Sequence, residues 1–172
     1  MKQNIKKTAW LGMLLAFALI LSYVEALIPF PFMVPGMKLG LANMATLLVL
    51  YLIGEKEAAI VSVSRIILVG FLFGNLYSIM YSLAGGILAL LVMVLSKRTG
   101  FLSCVGVSIL GGVFHNIGQL AVAALIVDTK AVFYYLPVLL IGGMVCGALL
   151  GIVTVQIINR VDPSGQRKER QV

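Results

Sequence analysis

Charge is what this chain has least of. Only 11% of its 172 residues are Asp, Glu, Lys or Arg, whereas a soluble domain carries about a quarter. It has two cysteines, one histidine and one tryptophan. Cys104 and Cys146 lie in or at the ends of apolar runs without C-x-x-C spacing, so they read as packing residues, not a disulfide or metal site. A lone His115 with no acidic neighbour gives no metal centre. There is no Gly-x4-Gly-Lys-Ser/Thr loop to cradle ATP, no Asp-rich motif to hold magnesium and a diphosphate, and no haem or iron–sulfur ligand pattern. No cofactor and no catalytic residue are therefore expected, and the chain reads as a non-enzyme.

What is present is apolar. Hydrophobic residues make up 61% of the chain and mean hydropathy is +1.09. About 20 apolar residues span a bilayer as a helix that satisfies its own backbone. A β-barrel would need ten-residue alternating segments, and none is visible. The pattern predicts an all-α integral membrane protein. Six spans are expected, at Thr8–Ile28, Leu39–Ile53, Ala58–Phe73, Leu76–Leu95, Phe101–Val127 and Ala131–Ile158. They form one transmembrane domain, 1–158, followed by a basic tail, 159–172.

The formal charge of +7 reports topology, not a nucleic-acid partner. With both termini on the inner side, ten of the 13 Lys and Arg residues fall in inner segments. Only Lys38 and Lys130 fall outside, and Arg65 lies within a span. This is the positive-inside pattern. The N-terminal run is full span length and is expected to be retained, not cleaved as a signal peptide.

Connections are short. Glu55-Lys56-Glu57 and Lys97-Arg98-Thr99-Gly100 are expected as tight inner turns, Gly74-Asn75 and Asp128-Thr129-Lys130 as outer ones. The exception is 29–38, where Pro29, Pro31 and Pro35 prevent regular helix in a segment that stays apolar. It is expected to fold over the bundle as a lid or lie at the interface.

The polar groups gather on one side. His115, Asn116 and Gln119 share neighbouring faces of the fifth span. Asn75 and Tyr77 begin the fourth, where Tyr77 could equally serve as an interfacial belt residue; Lys38 and Asn43 begin the second. Together they make a candidate cup for a small molecule, open to one compartment. Arg65 is costly at mid-span and needs a partner; Glu25 is the candidate. The pair could lock two helices in register, take part in ligand recognition, or both. Lys38, Arg65 and His115 bias the expected ligand toward an anionic or amphipathic one, although Glu25 could recognise a cation. Small residues at Gly143, Gly147 and Gly151 allow close helix packing. Those at Thr8, Gly12 and Ala16 could pack internally or dock another membrane protein.

Three stretches carry a resemblance: Pro35-Gly36-Met37-Lys38-Leu39-Gly40-Leu41-Ala42-Asn43, Ser62-Val63-Ser64-Arg65-Ile66, and Gly112-Val113-Phe114-His115-Asn116-Ile117-Gly118-Gln119. Over roughly residues 8–158 the chain resembles the Gx transporter family, also catalogued as heptaprenyl diphosphate synthase component I. That family is similar to the substrate-binding S components of energy-coupling-factor transporters. The resemblance implies a multi-pass protein of a bacterial plasma membrane that captures a small molecule at the outer face. It further implies a transmembrane coupling subunit and two cytoplasmic ATPases as partners. The Ala-x3-Ala pattern by which S components dock their coupling subunit corresponds here to Gly12 and Ala16. The alternative is an accessory subunit of isoprenoid or quinone metabolism, or of flavin- or quinone-linked membrane redox, although the acidic motifs of a prenyl synthase are missing. A third is a structural membrane protein without a ligand.

Overall fold

The computed structural model describes residues 2–27, 40–128 and 130–161. Among these every regular element is helical: α1 (Lys2–Leu27), α2 (Asn43–Leu52), α3 (Glu55–Phe73), α4 (Leu76–Thr99), α5 (Cys104–Val127), a short 3-10 turn (Lys130–Tyr135) and α6 (Leu136–Val161). The expected lid at 29–38, with Lys38, and the tail beyond Val161 lie outside the described residues.

Consecutive helices run up and down. Lys7 near the start of α1 pairs with Glu57 at the start of α3, and Arg98 at the end of α4 pairs with Glu55. At the opposite end Glu25 of α1 meets the residues leading into α2. There, too, the Tyr23 and Phe73 rings lie 5.1 Å apart.

Four helices, α1 from Lys7, α4, α5 and α6 with its preceding turn, are long and apolar enough to cross a membrane. The other two expected spans differ. α2 has ten residues, about 15 Å at 1.5 Å per residue, half of a hydrocarbon core. α3 has 19 residues but carries Glu55, Lys56, Glu57 and Arg65. The physical reason for the short α2 is its position. It touches α1, α3, α4, α5 and α6, and Asn43 through Tyr51 are all buried. A helix apolar on every side is one surrounded by protein.

The expected turn at Glu55-Lys56-Glu57 is instead the first turn of α3; the chain reverses at Ile53 and Gly54. Two acids in a first turn are favourable against the helix dipole, which outweighs the turn-like look of three charges in a row. Lys97 and Arg98 likewise complete the last turn of α4, which closes on Gly100 at φ +71°, a left-handed position suited to glycine. Gly74 and Asn75 do form a two-residue connection.

Glycines set the helix crossings. A Cβ on Gly143 would lie 2.8 Å from the Gly112 carbonyl oxygen, and one on Gly147 would lie 2.7 Å from the Ile109 Cα. One on Gly151 would meet Val105 and Ser108 at 2.9 Å. The α6 stripe therefore seats α6 on α5, where backbones touch without intervening side chains. Gly118 packs in the same way on Ala84 and Gly85 of α4. Around this frame the outer surface is oily: Phe71 (82%), Leu125 (81%) and Phe101 (92%) are largely exposed. Contiguous apolar exposure on this scale belongs against lipid.

Candidate functional site

The approach to α2 is the structural centre of the site. Gly40 adopts φ +85°, a conformation that disfavours any side chain. A Cβ there would also lie 2.9 Å from Asn43 Nδ2 and 3.2 Å from the His115 ring. Gly40 therefore brings α2 down onto α5. The amides of Gly40 and Leu41 precede the helix and need acceptors. Glu25 Oε1 accepts from both, the second at 3.2 Å. A carboxylate at the positive end of α2 is electrostatically favoured as well.

Arg65 approaches the same place from α3. Its Nη1 donates to Ser22 Oγ at 3.4 Å, and Ser22 donates in turn to the Ala18 carbonyl at 2.8 Å. Glu25 and Arg65 attract each other, but Arg65 hydrogen-bonds to Ser22 while Glu25 holds the backbone ahead of α2. The expected pair is thus a shared locus across α1, α2 and α3, with Ser22 between. An Arg at a span centre costs roughly 2.5–3.5 kcal/mol on the insertion scale, which explains why a carboxylate is buried nearby.

On α5, Gln119 Nε2 and His115 Nε2 are 3.0 Å apart. The two side chains share a hydrogen bond whose direction is set by the imidazole tautomer. Asn116 Nδ2 donates to the Leu139 carbonyl at 2.7 Å, near the start of α6. Gly85 makes room on the α4 side; a Cβ there would lie 2.7 Å from the His115 carbonyl oxygen.

Asn43, His115, Asn116, Gln119, Glu25 and Arg65 are all buried. The structure gathers them on the inner faces of four helices that sequence spacing alone could not relate. Several of their polar atoms have no hydrogen-bond partner: Asn43 Nδ2, Asn116 Oδ1, and Arg65 Nε and Nη2. Thr46 Oγ1 and Ser82 Oγ share that condition. Each such group costs about 1–3 kcal/mol when left unsatisfied.

Two candidates stand apart. Asn75 is exposed and caps α4, its Oδ1 accepting from the Ser78 amide at 2.8 Å. Tyr77 is 58% exposed on the outer surface. Conversely, Ser22, Thr46, Ser82 and Gly40 belong to the site and were not singled out in the sequence. Helical spacing was the available signal for two of them: Ser22 precedes Glu25 by three residues and Thr46 follows Asn43 by three.

Gly12 and Ala16 lie exposed on α1, and a Cβ on Gly12 would meet nothing within 4 Å. Gly12 and Ala16 thus mark an uncovered face of α1, while Leu14 between them is buried in the core on the other side. A separate groove of about 530 Å³ lies between α5, the 3-10 turn and α6, bounded by Ile117, Leu120, Ala124, Phe133 and Leu136. Its walls are hydrocarbon. Among the described residues no group of three or more His, Cys, Asp or Glu comes together.

An all-helical protein of membrane type, with a polar cluster enclosed by an oily exterior, is the class that fold and site define. Within that class, the model of the family described as heptaprenyl diphosphate synthase component I matches residues 14–157, and the chain belongs to this family. No curated protein and no solved structure matches it.

Proposed function

We propose that this chain is the membrane-embedded binding subunit of an ATP-driven importer, comparable to the S component of an energy-coupling-factor transporter. The observation that carries the reading is the set of buried, partnerless polar atoms around the start of α2. A bundle that needed polar residues only for packing would satisfy them internally. Donors and acceptors held without partners in an apolar interior are suited to a small molecule that supplies them.

Orientation follows from charge. Lys7, Lys56, Lys97, Arg98 and Arg160 all lie toward the end where α1 begins. By the positive-inside rule that end faces the cytoplasm of a bacterial cell, with both described chain ends there. The polar cluster then lies toward the outer side, and the ligand enters from outside. Six crossings fit this arrangement, with the short α2 enclosed by the other helices and α3 on the periphery. The exposed Gly12–Ala16 surface supports docking of a transmembrane coupling subunit, which two ATPases would drive. The chain itself binds; its partners hydrolyse ATP.

A second reading, an accessory subunit handling isoprenoid or quinone-type molecules, is favoured by the family description and by the hydrocarbon groove beside α5. Affinity purification from native membranes in mild detergent, with mass spectrometry of proteins and small molecules, separates the two. The importer reading expects an integral coupling subunit with two ATPases. A soluble prenyl synthase recovered in their place would overturn it in favour of the second.

A further inference from the structure

The buried cluster contains one cation whose donors are only partly used. Arg65 is 3% exposed. Nη1 is committed to Ser22, and Ser22, by donating to the Ala18 carbonyl, keeps an oxygen lone pair turned toward the guanidinium. Nε and Nη2 have no hydrogen-bond partner. These two nitrogens are not an arbitrary remainder. Their N–H bonds leave one edge of the planar group in parallel, at the spacing of two carboxylate oxygens.

The same molecule shows the edge filled. At the basic end Arg98 donates from Nε to Glu55 Oε1 at 2.9 Å and from Nη2 to Oε2. Arg65 presents the identical edge within the bundle. No described acid bonds to that edge. Glu55 and Glu57 belong to the basic end with Arg98 and Lys7, Glu25 gives Oε1 to the Gly40 and Leu41 amides and attracts Arg65 without bonding to its Nε or Nη2, and Asp128 caps the end of α5.

We infer that the Nε–Nη2 edge of Arg65 receives a carboxylate of the small molecule that this protein binds. The inference rests on the binding-subunit reading and deepens it by naming the ligand's anionic group. A singly charged, planar acid fits better than a phosphate dianion, because Glu25 is close enough to interact with Arg65. A second negative charge would add repulsion in a medium that screens it poorly. Lysine could not serve equally, since an ammonium is a point charge without the paired donors. Arg65 thereby sets specificity for a carboxylate, and Ser22 is the positioning residue that fixes the guanidinium plane.

The test uses the full chain in lipid nanodiscs with butyrate and benzoate as probes, and butyramide and benzamide as their uncharged counterparts. The acids should raise the thermal midpoint saturably and the amides should not. Arg65→Lys, which keeps the charge and loses the fork, should weaken the acid response by about tenfold or more. In arginine-labelled native protein, the Arg65 Nε–H signal should move on adding either acid. It can be assigned by replacing Arg98, Arg160, Arg167 and Arg170 in turn, so this readout stands even if Arg65→Lys does not fold.

Amides that act as well as acids, an acid response that survives in Arg65→Lys, or an unmoved Arg65 signal at the solubility limit of both acids would each overturn the inference. The two levels fail separately. An acid-selective response in a protein that recruits no coupling subunit would leave the carboxylate site standing and remove the transport reading. Recovery of the coupling subunit with probes that ignore Arg65 would do the reverse.

Discussion

At the end of the bundle where α1 begins, charges meet in the open. Lys7 reaches Glu57, Arg98 grips Glu55 through two bonds, and Lys97 lies 4.7 Å from the Tyr51 ring centre while donating to the Leu50 carbonyl at 2.6 Å. At the other end polar groups are sealed among apolar helices, and several of their polar atoms have no hydrogen-bond partner. The first arrangement is closed by its own ion pairs; the second leaves several polar atoms unbonded. One end fastens α1, α2, α3 and α4 together, and the other is left with hydrogen-bonding capacity to offer. Burial, not residue type, makes the difference, because Arg98 and Arg65 are chemically the same side chain.

This contrast can be broken most forcefully at Glu25. Glu25→Ala leaves the amides ahead of α2 without an acceptor and Arg65 without a compensating charge, and should destabilise the protein by about 3 kcal/mol. Combining Glu25→Gln with Arg65→Met should cost less than Glu25→Ala alone, since no uncompensated charge remains. Chemical unfolding in a defined detergent measures both. A double variant worse than the single one would argue against charge compensation.

Next in size is the packing that holds the site's walls. Gly147→Leu drives a side chain into the Ile109 backbone and should lower stability by about 1–3 kcal/mol, seen as a reduced thermal midpoint. Gly12→Leu, at a position open for 4 Å, should leave the midpoint unchanged while reducing retention of any coupling subunit. Asn116→Ala removes the side-chain bond to the Leu139 carbonyl and should cost about 0.5–1.5 kcal/mol; its effect on ligand retention should exceed its effect on folding.

The smallest effects belong to the basic end. Arg98→Ala should produce a slight loss that high salt erases, because exposed pairs are screened. Acid should act on the same contacts. The hydrogen bond from Arg98 holds the Glu55 carboxyl below the usual carboxylate range, and that from Lys7 does the same for Glu57. Folded-state values below the unfolded ones mean the stabilisation is complete above the ordinary carboxylate range. It is lost as pH falls through the lowered values. A thermal-midpoint profile against pH should therefore fall on the acid side in the native protein and flatten there in a Glu55→Gln, Glu57→Gln double variant.

Much of this architecture was legible in the sequence because lipid imposes a simple rule of length and hydropathy. α4, α5 and α6 obey it, and their extents follow closely. α2 does not, because a helix enclosed by five others needs no membrane-spanning length, and nothing in Asn43–Leu52 reports its neighbours. The α5 trio was visible because His115, Asn116 and Gln119 interrupt an apolar run at helical spacing. Asn75 looked equivalent by that criterion, yet its location just before a helix makes capping its local role. Ser22 was hidden for the opposite reason: small hydroxyl residues are common in apolar helices, and only the approach of Arg65 from α3 gives this one its part. Gly85, Gly111 and Gly143 each admit a neighbouring helix or side chain, a closeness that sequence spacing does not report.

Native mass spectrometry of the intact protein released from mild detergent tests the central claim most directly. Wild-type protein and Arg98→Ala, altered only at the fastened end, should both carry the same small-molecule adduct. Gln119→Ala, altered in the buried cluster, should be folded and lack it. An adduct that persists in Gln119→Ala, or its absence from wild-type protein taken from native membranes, would contradict the account.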